Sequence, residues 1–72
     1  MGPECNFSFR DLYLAAHNRP ALESEMQALF ALPQSERNAV VKKWSELSGW
    51  GTKERVGTDG ALYIAFCPNW KG

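Results

Sequence analysis

The hydrophobic period of this chain changes once, at Gly49-Trp50, and that change limits the fold more than any other feature. Before it, apolar residues recur at three- and four-residue spacing and are divided by Pro20 and Pro33. After it, they alternate. A chain patterned this way is expected to form short helices first and a strand pair last. Only 72 residues are available. That is one small domain, with a stability margin from its core of about 3–5 kcal/mol. So little chain has no room for a large enclosed cleft.

Residues 1–6 read as a flexible tail. Ser8 is a good helix N-cap, Asp11 stands where a capping-box partner belongs, and Phe7 and Leu12 have the spacing of a hydrophobic staple. Phe9, Leu12, Tyr13 and Ala16 continue at helical spacing, and the helix is expected to stop near His17-Asn18 because Pro20 biases Arg19 away from helical geometry. Pro20 suits the first turn of a second helix. Leu22, Met26, Leu29 and Phe30 form its apolar face, with Glu23, Glu25 and Gln27 pointing elsewhere. Pro33 opens a third helix, over 34–48. Val40, Trp44 and Leu47 are expected to face inward, leaving Gln34, Ser35, Asn38, Lys42 and Ser45 on the far side. Gly49 is expected to be left-handed, with Trp50 in the following Schellman position.

Thr52 to Val56 is expected to be a strand, and Leu62, Ile64 and Phe66 alternate with Ala61, Tyr63, Ala65 and Cys67 as a second. A two-residue Asp59-Gly60 turn would bury Lys53 and Arg55. A three-residue loop, Thr58-Asp59-Gly60, sets Val56 opposite Leu62 and Arg55 opposite Tyr63, and keeps both cations in water at the expense of facing Glu54 toward Ile64. The longer loop is preferred. Pro68 closes the strand. The expected fold is α+β: three short helices and a two-stranded antiparallel hairpin, one domain over 7–68 followed by a tail at 69–72.

Such an order resembles a winged helix-turn-helix. The segment from Glu25 to Pro68 is similar to the N-terminal winged-helix domain of phage Mu-type transposases and repressors. The matching features are Leu29, Leu32-Pro33 leading into Ser35, a helix ending at Gly49-Trp50, a basic strand with Lys53 and Arg55, glycines at 57 and 60, Tyr63 and Pro68. The resemblance implies a phage or mobile-element regulator of transcription. It also implies binding of double-stranded DNA, with helix 34–48 in the major groove and the 52–67 wing on the backbone.

Lys+Arg and Asp+Glu number eight each, so the net charge is zero, but residues 1–33 balance to minus two and residues 34–72 to plus two. Cations therefore favour the third helix and the hairpin. Gln34, Ser35, Asn38 and Lys42 are apt for base edges, and Arg37, Lys43, Lys53 and Arg55 for phosphates. The same residues also suit a plain solvated helix face and an edge strand guarded by charge. Trp44 and Trp50 are expected in the core. Trp70, past Pro68, either folds back or anchors a partner. A rival reading of the whole is a protein-binding module that docks on a host protein; zero net charge and the acidic second helix favour it. Homodimerisation stays open.

No nucleophile with a base, no carboxylate pair, no phosphate loop and no metal set can be read, so neither catalysis nor a cofactor is expected. His17 is read as a helix-end residue on the dipole. No apolar run reaches the roughly 20 residues that span a bilayer, and residues 1–6 lack the pattern of a secretory signal. A cytoplasmic protein is expected. Cys5 and Cys67 are then two reduced thiols, with a bridge between them as the alternative.

Overall fold

The computed structural model describes residues 7–70, in the order α1 (Phe9–His17), α2 (Glu23–Ala31), α3 (Gln34–Ser48), β1 (Gly51–Val56) and β2 (Leu62–Cys67). This is the expected α+β order, and it is compatible with a winged helix. The tail at 1–6 and residues 71–72 lie outside the described residues.

Local signals start and stop the helices. Ser8 caps α1: its hydroxyl accepts from Asp11 N, and the Asp11 carboxylate accepts from Ser8 N at 2.9 Å. Asn18 ends α1 in the left-handed region, at φ 56°. Phe7, expected as a staple for Leu12, packs edge-on against Trp50, with centroids 5.3 Å apart. The expectation for α2 needs correcting. Pro20 is outside the helix, which begins at Glu23. The Glu25 carboxylate takes the Leu22 N–H at 3.0 Å, and a side chain three residues into the helix thereby does the work of a cap. Gly49 ends α3 at φ 79°, and Trp50 N reaches Ser45 O at 3.0 Å, the closure of a Schellman motif.

The hairpin has the register of the longer loop. Val56 pairs with Leu62, Arg55 with Tyr63 and Glu54 with Ile64. Gly60 is left-handed at φ 83°, as a type I turn closed by a glycine bulge requires. The even-numbered residues of both strands face the helices. Gly51, Lys53, Arg55, Tyr63, Ala65 and Cys67 face away.

The core is two groups joined through Phe9 and Trp44. Leu12, Val41 and Ile64 pack with Trp50 and Phe66; Tyr13, Met26 and Leu29 pack with Ala21, Leu32 and Val40. Two apolar positions expected on the inner face of α2 are largely outside: Leu22 is 61% and Phe30 54% exposed.

A second correction concerns α3. Its buried positions are Asn38, Val41 and Ser45, with Val40 and Trp44 half-buried and Leu47 exposed. The helix is covered on two sides, by α1 and α2 near Val40 and Trp44 and by the hairpin near Asn38 and Ser45. The buried arc is therefore wider than an apolar stripe reveals and is turned toward polar residues.

After β2, Trp70 N donates to Cys67 O at 3.3 Å, and the chain folds back over the start of β1. A Cβ at Gly51 would overlap the Cβ and carbonyl of Trp70, so only glycine fits there. The reduced-thiol expectation is also corrected. Cys67 is disulfide-bonded and fully buried. Cys5 lies outside the described residues. Among the described residues, no helix is long and apolar enough to cross a membrane.

Candidate interaction surface

The residues expected on one groove-reading face are divided by the fold. Asn38 is 8% exposed, and its carboxamide is committed to β2: Nδ2 donates to Leu62 O at 2.7 Å, and Oδ1 accepts from Ile64 N at 3.3 Å. Gln34 Nε2 donates to the same Oδ1 at 2.8 Å, and Arg37 Nη2 donates to Gln34 Oε1 at 2.9 Å. Arg37, Gln34 and Asn38 thus form one chain of hydrogen bonds that ends on the edge of the sheet. Within it Arg37 Nε is buried and has no hydrogen-bond partner among the described residues.

Lys42 is exposed, and its ammonium sits 3.3 Å from Glu54 Oε1 on the helix-facing side of β1. Lys53 and Arg55 are on the opposite side of the hairpin. The Lys53 ammonium lies over the Trp70 ring, 4.6 Å from its centroid. Arg55 and Lys43 are exposed and make no ion pair among the described residues. Ser35 is exposed beside a shallow groove between α3 and β2, whose other walls include Ala39, Ala61, Leu62 and Ile64. The structure therefore joins Gln34, Arg37 and Asn38 to one another, Lys42 to Glu54, and Lys53 to Trp70. It does not bring Asn38, Lys42, Lys53 and Arg55 to one face. Trp70 is half-buried against β1.

Charge at the loop is fixed locally. Asp59 Oδ1 accepts from Ala61 N at 3.0 Å and Oδ2 from the Tyr63 hydroxyl at 3.0 Å. Those bonds, the backbone one first, hold its carboxyl below the usual range, and the same contact raises the Tyr63 phenol.

A second polar cluster, around Glu25, had no counterpart in the sequence reading. Its carboxylate receives Arg19 Nη1 at 3.1 Å and Nη2 at 3.2 Å, the Tyr13 hydroxyl, and Leu22 N. The Arg19 bonds first, then the Tyr13 and backbone bonds, lower its pKa from 4.5 to about 2. The Arg19 guanidinium also lies 4.9 Å from the Tyr13 ring centroid, and the His17 ring stacks on the Tyr13 ring with centroids 4.1 Å apart. One signal was legible: a Glu three residues into a helix can cap it. The convergence of Tyr13 and Arg19 was not.

Among the described residues, no group of three or more His, Cys, Asp and Glu is placed to hold a metal ion. Comparison of the chain with protein-family models, with curated proteins and with solved structures returned no match.

Proposed function

We propose that this chain is a small, non-catalytic protein-binding module. One observation carries the reading. Of the four groups a duplex reader would need together, Asn38 is spent on β2, Lys42 meets Glu54, and Lys53 and Arg55 lie across the hairpin from both. A net charge of zero, with Glu36 and Glu46 on the solvent side of α3 beside Lys43, weakens the field that draws a phosphate backbone. The exposed apolar residues Leu22, Phe30, Leu47 and Val56 offer contact area of the kind proteins bury on one another.

Duplex DNA is the second reading, with the chain as a regulator of the phage or mobile-element kind. It is favoured by Arg55, which has no ion pair among the described residues, with Lys53 beside it, on the outer face of the hairpin, where a wing would touch a backbone. A titration against random duplex at two salt concentrations separates the two. The protein-binding reading expects no binding at low salt, together with a stoichiometric partner captured from nuclease-treated lysate. Duplex affinity that falls steeply with salt and is lost in Arg55→Ala, with no captured partner, would overturn it.

A further inference from the structure

We propose that the free edge of β1 accepts an extended acidic segment of a partner protein as a third strand; this rests on the protein-binding reading and names its site. The hairpin has two edges, and the fold treats them differently. Gly57 N donates to Ala61 O at 2.9 Å. Bonded pairs alternate along an antiparallel ladder. With the observed register, Arg55–Tyr63 and Lys53–Ala65 are therefore bonded pairs, and the backbone groups of Thr52, Glu54 and Val56 on β1, and of Leu62, Ile64 and Phe66 on β2, point outward. On β2 the Asn38 carboxamide occupies Leu62 O and Ile64 N, much as a neighbouring strand would. On β1 the outward groups of Thr52, Glu54 and Val56 have no hydrogen-bond partner among the described residues. That is an open template for strand addition.

Charge selects the occupant. Lys53 and Arg55 stand two residues apart on the outer side of this edge. A second copy of the chain is a poor fit: antiparallel self-pairing through the outward groups sets residues of like parity opposite each other. Lys53 then meets Lys53 or Arg55 of the other copy, and like charges directly opposed are destabilising. A strand with acids opposite Lys53 and Arg55 satisfies both.

The inner side sets the alternate positions. There Val56 is 72% exposed, and a groove between α3 and β1 is lined by Lys42, Ser45, Glu46, Trp50 and Thr52. Ser45 is 3% exposed, and its hydroxyl is buried with no hydrogen-bond partner among the described residues. An added strand would turn its inner residues over Val56 and toward this groove. The segment that fits therefore alternates apolar and acidic residues over the length of β1.

Amide hydrogen exchange on the full chain tests this, with capped peptides of about six residues that alternate valine with glutamate or valine with lysine. The glutamate peptide is expected to protect the Thr52, Glu54 and Val56 amides, and the lysine peptide to protect none. Glu54→Pro removes one outward donor that the fold itself does not use, and should abolish binding with the hairpin intact. Arg55→Glu should weaken the glutamate peptide about tenfold and favour the lysine one. Protection at other amides, equal binding of both peptides, or unchanged binding by Glu54→Pro would overturn strand addition. If a partner is still captured in the nuclease-treated pull-down, the protein-binding reading survives that result. An empty pull-down with salt-dependent duplex binding sinks both.

Discussion

The Asn38 carboxamide ties α3 to the edge of β2 with both of its polar atoms. That amide was expected to meet a base edge; it meets a strand edge, where it pairs the outward carbonyl of Leu62 and the N–H of the buried Ile64, which would otherwise lack a partner. Asn38→Ala is expected to cost about 1–3 kcal/mol in urea denaturation and to raise exchange at the Ile64 amide. No loss on this substitution would mean that water replaces the carboxamide. Glu25 supplies a second test at this scale. Its pKa is depressed in the folded state, from 4.5 to about 2. Its contribution is thus fully present above the ordinary carboxylate value and is lost as pH falls from 4.5 through about 2. Thermal melts of wild type and Glu25→Gln should differ near neutral pH and converge toward pH of about 2. Curves that stay parallel across that window would show that the cluster adds nothing.

The elements were legible where a local interaction makes them. The Ser8–Asp11 capping box, the left-handed Gly49 and the three-residue hairpin loop each depend on residues within a few positions of one another, so spacing was enough. The start of α2 and the rotation of α3 were not legible. The Glu25 cap on Leu22 is local, but Arg19 and Tyr13 converge on the same carboxylate from outside the helix, and the rotation of α3 depends on the edge of β2 beside Asn38. Packing between distant segments also explains Gly51. In sequence it is simply the glycine after a tryptophan; in the fold the return of Trp70 leaves no space for a side chain. Gly51→Ala is expected to destabilise by about 1–3 kcal/mol and to expose Trp70, read as a red shift in tryptophan emission. Gly51→Ala melting like wild type would show that Trp70 moves aside freely.

At the scale of the molecule, a core this small leaves little stability in reserve. The disulfide at Cys67 is then a substantial fraction of it. Reduction is expected to remove about 2–4 kcal/mol, seen as a lower melting temperature in dithiothreitol. An unchanged melt would place the bond outside the cooperative unit. The distribution of charge also belongs to this scale. The balance of charge between the two halves of the chain had suggested a basic face, but the hairpin turns Lys53 and Arg55 one way and Glu54, with Lys42, the other. A sum over sequence does not carry the sign of a surface, because alternate residues of a strand face opposite sides.

The amino-acid sequence by itself determined the order of elements, the Ser8 and Gly49 caps, the loop and the strand register, since each follows from hydrophobic period and from interactions between near neighbours. Only the tertiary structure decided which polar groups are consumed internally and which backbone groups remain open. Hydrogen bonding across 24 or 26 positions, as between Asn38 and β2, is settled by how helix and hairpin pack, and spacing along the chain contains no record of it.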